Sequence, residues 1–446
     1  MKRTFFIQLL FIFNFVIVSA QENKLYVPPI LTGKVFNLEI RDSITEFWPG
    51  VKTKTYGINH NILAPTLLLQ KGDSVQINVT NRLVGSGNST TIHWHGLHVS
   101  AMNDGGPHQI IQQNATWSPK FKVLNNAGTF WYHPHGENKT DRHVSKGIAG
   151  AIVIKDPEEA LLNLPRTYAI DDIPIIIQTK EIDVLNQITI ASFLDTAVMV
   201  NATVKPYYDL PAQVVRLRLL NGASTRTFMI GFSNNMPFSL IATDGGLRDS
   251  SLQMTRLLLS NGERAEILVN FTGMINDSVY LRSYGSELPK GIFGVDSVGD
   301  KDNTILNYYE NPLNGTDFDL VKFRIKNSTA NPVTAIPTAL ANTFKYLITP
   351  TTKYRKFILD TLSGVGIIPT LAEGPFAFNK KLFDINRIDE VVYLNATEVW
   401  TIHNKTMIAH PFHIHDVEFD ILDINGMAPP KYLQGKKRCC FGHAWG

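Results

Sequence analysis

Cysteine is nearly missing from this sequence. Its 446 residues carry two, Cys439 and Cys440, adjacent and close to the end. No cysteines remain to tie distant parts of the chain together, so a disulfide framework is excluded as a source of stability. A strong charge of one sign is missing as well. Forty-two basic residues against 39 acidic ones leave a net charge of +3, which removes the electrostatic case for nucleic acid or an anionic membrane surface as partner. Long apolar runs are confined to the first 20 residues. There Lys2 and Arg3 precede a 14-residue, mostly apolar stretch from Phe5 to Val18, and Val18-Ser19-Ala20 offers small residues for cleavage. That is the pattern of a secretory signal peptide, and it falls short of the ~20 residues of a membrane span. The expectation is an exported protein, periplasmic or extracellular, that starts at Gln21 and keeps no membrane anchor.

What is present is a soluble β-rich composition, 44% hydrophobic and 18% charged. Val, Ile, Thr, Phe and Tyr recur in short runs broken by Gly, Pro and Asn, which predicts mostly strands. The length is too great for one core. Asn-x-Ser/Thr occurs at 11 asparagines, among them Asn114, Asn138, Asn201, Asn276, Asn395 and Asn404, where composition alone gives roughly 4. The excess fits a glycosylating pathway, and it fits Asn-rich turns and strand ends equally well.

Three stretches share one pattern. "GDSVQINVTN" ends at Asn81, "AQVVRLRLLN" at Asn221 and "ATEVWTIHN" at Asn404. Each alternates as a half-buried strand does and closes on Asn. A second strand follows each, containing "HWHG", "TFMIGF" and "FHIH" respectively, and then a turn signal. Three copies of one β-sandwich unit are expected, the first and third bearing ligands and the middle one a spacer. The boundaries give units at 21–160, 161–315 and 316–446.

Ten of the 13 histidines fall in three clusters: His93, His95, His98 and His108; His133, His135 and His143; His410, His413 and His415. Residues i and i+2 of a strand point to one face. His93 with His95, His133 with His135, and His413 with His415 can therefore bring six imidazoles to one metal site. His410 lies three residues before His413, off that face, and should serve a neighbouring site. Imidazole suits Cu, Zn, Fe or Ni.

"TTIHWHGLHVSAMNDGGPH", "GTFWYHPHGENKT" and "HPFHIHDVEFDIL" closely resemble three of the four copper motifs of the multicopper oxidases, in order and correctly spaced. The resemblance covers nearly the whole mature chain. It implies an all-β fold of three cupredoxin-like Greek-key β-sandwich domains. It also implies copper as cofactor and coupling of one-electron oxidation of a small reducing substrate (a phenol, amine or metal ion) to four-electron reduction of O2 to water. By motif, His93 and His413 would hold the type 2 copper, and His95, His133, His135 and His415 four of the six type 3 positions. His410 would be a type 1 ligand. Asp104, in "NDGGP", matches the family's acidic residue beside the cluster, which tunes bound water and relays protons; a turn Asp before Gly105-Gly106 reads the same way. His98, His108 and His143 have no assigned role. A monomer is expected, with no nucleic-acid partner.

The fourth motif, His-Cys-His followed by a further His, is absent. Without a flanked thiolate no type 1 copper of the usual kind is expected. "GKKRCCFGHAWG" also lacks the alternation the repeat calls for here. Back-translated one base out of register, Arg438 to Gly446 reads Asp-Val-Val-Leu-Val-Met-Pro-Gly, a strand closing on a turn that resembles the family's segment at this place. The expectation is a frameshifted end, an incomplete third domain, and a chain that binds copper weakly without turnover. The alternative is a non-enzymatic cupredoxin-fold protein that binds copper or acts as a scaffold. A cuprous oxidase usually carries a Met-rich insert before "HPFHIH", and only Met407 stands between 362 and 409, so the reading leans to a laccase-like specificity.

Overall fold

Strands make up nearly all the regular structure, and they sort into paired sheets. The computed structural model describes residues 22–85, 87–190, 192–297, 308–361, 376–406, 408–435, 437 and 439–442. The expected signal peptide at 1–20 lies outside the described residues.

In the first unit, Ile30–Leu31, Thr66–Gln70, Gly150–Lys155, Gly128–His133 and His93–His95 form one sheet in that order. It faces a second built on Val51–Ile58, Val35–Trp48 and Ser74–Arg82. Alternation explains the pairing: Ser74–Arg82 turns Val75, Ile77 and Val79 inward and leaves Gln76, Asn78 and Thr80 half-exposed. The second unit repeats the plan on a larger scale. Asp172–Ile182, Val214–Asn221, Arg264–Asn270 and Phe238–Thr243 are consecutive in one sheet, packed through Ile175, Leu217, Ile267 and Phe323 against the sheet of Pro206–Pro211, Asp317–Lys326 and Ser278–Tyr284. Asp317–Lys326 thus runs in the second unit's sheet, past the 315/316 division. Asn23–Lys24 also pairs there, beside Pro206–Pro211, although the strands that follow it build the first unit.

The repeat is carried by its asparagines. Ser74–Arg82, Val214–Asn221 and Glu398–Asn404 each pair in parallel with an earlier strand, namely Val35–Trp48, Asp172–Ile182 and Lys353–Thr361. At each strand end the Asn Oδ1 accepts the N–H two residues on, at Leu83, Ala223 and Thr406, all 3.0 Å away. The Asn Nδ2 donates to carbonyls further along: Asn88 and Ile111, Arg226 and Leu259, and Ile408. A short amide side chain stops the strand and turns the chain toward the next one. Asparagine serves turns elsewhere too: Asn114, Asn138, Asn201, Asn276 and Asn395 all have positive φ, a conformation Asn tolerates better than most residues.

The third unit differs in cover. Val214–Asn221 is buried throughout, whereas in Glu398–Asn404 only Asn404 is. Among the described residues, thirteen of the 27 exposed large apolar side chains fall between Phe344 and Leu394, so the sheet of Phe376–Phe378, Lys353–Thr361 and Glu398–Asn404 is poorly covered there. The tail departs from the expectation of no strand. Cys439–Gly442 pairs antiparallel with His410–His413, because a backbone ladder needs no alternation of side chains.

Buried ion pairs dock the first unit on the second. Arg216, 1% exposed, donates to Glu266 Oε2 (2.8 Å) and to Glu159 Oε1 (2.8 Å). Arg218 reaches Asp172 (2.6 and 2.8 Å) and Glu266 Oε1 (2.7 Å), which also accepts from Thr129 of the first unit (2.6 Å). Burial alone would raise the Glu266 carboxyl; Arg216 and Arg218 outweigh it and hold it near 2. Arg166 Nη2 lies 3.3 Å from Glu159 Oε2, so three arginines meet three carboxylates, which is the condition under which buried ions persist.

Candidate metal centre

His93 and His95 are fixed by a three-residue strand paired to Gly128–His133, with His133 opposite His93 and Trp131 opposite His95. Trp94 points the other way, fully buried in the first unit's core, its Nε1 donating to Asn103 O (2.9 Å). The expected pairing of histidines by strand periodicity holds fully only here. Gly128–His133 and His410–His413 both end at the first histidine of their pairs. Pro134 has no N–H to continue the first ladder, and His135 is placed instead by its N–H, which donates to Thr91 Oγ1 (2.6 Å).

All six paired histidines nonetheless converge. The His93 and His415 rings stack with centroids 4.0 Å apart, and those of His95 and His413 at 3.9 Å. His133 and His135 lie 5.5 and 5.4 Å from His93. Ligand atoms of His93, His413 and His415 fall within 4.8 Å of one another, as do those of His93, His95 and His133. His410 stands apart: its Nε2 meets Thr406 Oγ1 at 2.8 Å and its ring lies 4.6 Å from Phe376.

Hydrogen bonds set the tautomers. His93 Nδ1 donates to Asp104 O (2.9 Å), and His415 Nδ1 donates to Asp104 Oδ2 (2.8 Å). His133 Nδ1 donates to Pro134 O (2.8 Å), which leaves the lone pair of His133 Nε2 free beside His95 Nδ1, 3.2 Å away. Nε2 of both His93 and His95 is left buried with no hydrogen-bond partner, a state that costs free energy unless a ligand takes up the lone pair. Imidazole donors, neutral and converging, fit a copper-type ion.

The electrostatics agree. Burial, reinforced by neighbouring histidines, pushes His95 and His133 well below the usual imidazole range and His135 down to about 4. Burial also works to raise the Asp104 carboxyl, but hydrogen bonds from His415 and His93 prevail and keep it below the usual carboxylate range. Asp104 is both a turn residue and a partner of the cluster. Gly105 follows at φ +74, where a Cβ would sit 1.6 Å from Ile92 O; only glycine lets the turn close against His93.

The unassigned histidines lie off the centre. His143 is buried against Thr90 Oγ1 (3.0 Å), His98 pairs with Asp416 of the third unit (2.5 Å), and His108 is exposed. Sequence reasoning missed Trp131, stacked on His133 at 4.0 Å, and Gly262 of the second unit, whose added Cβ would meet His95 Cε1 at 3.5 Å.

Two family models described as "Multicopper oxidase" match residues 39–159 and 360–438. The multicopper oxidase mco of Staphylococcus haemolyticus is 32% identical over 436 residues, spanning 94% of this chain and 84% of that protein. The chain belongs to the multicopper oxidase family. Cell division protein FtsP of Escherichia coli is similar at almost the same level, 30% over 422 residues, spanning 92% of this chain and 82% of that one. Among solved structures, a bacterial laccase-like multi-copper oxidase, CueO from Ochrobactrum sp., superposes with a TM-score of 0.79 at 30% identity, covering 94% of this chain and 91% of that one. McoA of Aquifex aeolicus gives 0.78 at 25% identity, covering 95% and 91%. The mostly-β architecture is that of this multicopper oxidase fold.

Because burial holds His135 and His410 down to about 4, against ~6.5 when unfolded, protons bind the unfolded chain first as pH falls. The stability these rings contribute is complete above about pH 6.5 and is lost toward pH 4. The melting temperature of the metal-free protein should be flat above about pH 7 and fall between pH 6.5 and 4; a constant value across that window would contradict the burial of the rings.

Proposed function

We propose that this multicopper oxidase relative holds copper at the six-histidine cluster, and that the cluster is built for four-electron reduction of O2 to water, paid in one-electron steps by a small reducing substrate such as a phenol, amine or metal ion. The observation that carries this is the convergence of imidazoles from two units around two buried nitrogens with no hydrogen-bond partner. Bound copper would supply the redox chemistry and accumulate electrons so that partly reduced oxygen is not released.

The chain's own residues have distinct parts. His93 and His413 are assigned to the type 2 copper, His95, His133, His135 and His415 to the type 3 pair, and His410 to a mononuclear type 1 site. Asp104 fixes the tautomers of His93 and His415 and, as a carboxylate, accepts a proton at Oδ1 or Oδ2 from water at the cluster. Trp131, 6% exposed and stacked on His133, keeps solvent from that side. The protein is proposed to be exported, periplasmic or extracellular, and to act as a monomer.

His410 lacks the thiolate its assignment calls for, since neither cysteine in the sequence is flanked by histidines. We therefore propose that residues 1–446 alone bind copper but do not sustain turnover. The similarity to proteins named for cell division keeps one second reading, a non-enzymatic copper-binding or scaffold role.

Copper content and O2 uptake with a phenol, measured on the purified chain and on His95→Ala, separate these. Bound copper, little O2 uptake, and loss of copper in His95→Ala are expected. Steady O2 uptake would overturn the absence of turnover. Copper retained in full by His95→Ala would overturn the cluster, and a chain that takes up no copper would leave the scaffold role.

A further inference from the structure

The middle unit carries no copper histidine, yet one of its turns touches both halves of the cluster. Ser260–Arg264 connects two strands of the second unit, Leu257–Leu259 and Arg264–Asn270. The turn is held rigidly: Glu263 N donates to Ser260 O (3.0 Å), Ser260 N to Glu263 Oε2 (2.7 Å), and Gly262 N to Asn221 O (2.9 Å). Gly262, at φ +75, packs against His95 of the first unit. The next side chain, Glu263, points to the third unit instead, where Lys437 Nζ lies 3.4 Å from Glu263 Oε1 and 3.6 Å from Asp244 Oδ2.

This is a buried, charge-matched group. Lys437 is 4% exposed, Glu263 3%, Asp244 0% and Arg264 1%. Arg264 covers the other Asp244 oxygen, with its Nη1 2.9 Å from Oδ1. Asp244 Oδ2 has no hydrogen-bond partner, so the Lys437 ammonium at 3.6 Å is the cation that faces it. Lys437 is tied just as closely to the third cluster motif. Its N–H and C=O exchange two 2.9 Å hydrogen bonds with Phe419, four residues after His415. Two residues beyond it, Cys439 pairs in register with His413.

We infer that Lys437 is a positioning residue for the copper cluster: its ammonium, locked between Glu263 and Asp244, refers the His413–His415 segment to the same turn that braces His95. The inference rests on the copper reading of the six histidines. It gives the middle unit a part beyond that of a spacer, and it sets the spacing of imidazoles that come from units some 300 residues apart in sequence. A lysine is suited to this, because a compact ammonium on a long stem reaches two carboxylates that a shorter side chain cannot.

The test uses Lys437→Met, which keeps the length of the stem and removes the charge, with Lys437→Arg as the conservative variant and Lys380→Met, at an exposed turn, as control. Hydrogen exchange of the amides at 412–419 is measured in the metal-free full chain, and copper affinity by chelator competition. In Lys437→Met those amides should exchange at least tenfold faster and copper should bind roughly tenfold to a hundredfold more weakly, on the scale of losing an outer support of a metal site. Lys437→Arg should recover part of both, and Lys380→Met should leave both unchanged. Unchanged exchange in Lys437→Met overturns the inference whether or not copper binds. Faster exchange with unchanged copper affinity overturns the link to the cluster. A wild-type chain that takes up no copper defeats the copper reading itself, and exchange alone then decides whether Lys437 positions the segment.

Discussion

The arrangement turns on one residue. Asp104 accepts a hydrogen bond from His93 of the first unit at its backbone carbonyl and one from His415 of the third at its carboxylate, two residues more than 300 positions apart in the sequence. The contact decides which nitrogen of each ring carries the proton, and hence which is free to meet a metal. It also demands that the two units dock face to face, since neither could offer a complete donor set alone. The remaining elements can be understood as support for that meeting: the Gly105 turn that lets Asp104 approach, the short strand that aims His93 and His95, and Thr91, which catches His135 after Pro134 ends its strand.

The second unit supports the meeting from behind. Its large core is the best covered of the three, and two groups of buried ions project from it. Arg216, Arg218 and Glu266 hold the first unit through Thr129 and Glu159, and Asp244 and Glu263 face Lys437 of the third. Removing one partner from such a group typically costs about 3–5 kcal/mol, because it leaves a charge buried and unmatched. Such pairs fix relative position more strictly than an apolar contact would, which suits a cluster whose histidines come from different units. Among the described residues the third unit has the least covered sheet, so its link to the others depends more on these contacts than on a core of its own.

Much of this was legible in the sequence. Strand periodicity around "HWH" placed His93 and His95 on one face and Trp94 in the core, and the offset of His410 set it apart from the cluster. The repeat ending at Asn81, Asn221 and Asn404 is real in the backbone, because an Asn side chain performs the same local turn wherever it ends a strand. Other features left no local signal. Pro134 ends a strand between His133 and His135, yet a separate hydrogen bond restores the convergence. Asn23–Lys24 and Asp317–Lys326 pair across the expected divisions, because sheet pairing is non-local. Gly262, Glu263 and Lys437 read as ordinary turn and surface residues until the fold buries them beside the cluster. At Cys439–Gly442 the repeat calls for a strand and the side chains show no alternation, but backbone pairing does not require it.

The donor set also limits which chemistry this chain can hold. Among the described residues the side chains that converge are imidazoles with one carboxylate in support, and the two cysteines stand outside any His-Cys-His context. The most direct measurement is copper K-edge X-ray absorption on the copper-loaded protein. The account predicts a first shell of nitrogen and oxygen, with the multiple scattering of several imidazoles and no sulfur. A copper–sulfur shell would contradict it and move the metal from the histidine cluster to Cys439 and Cys440.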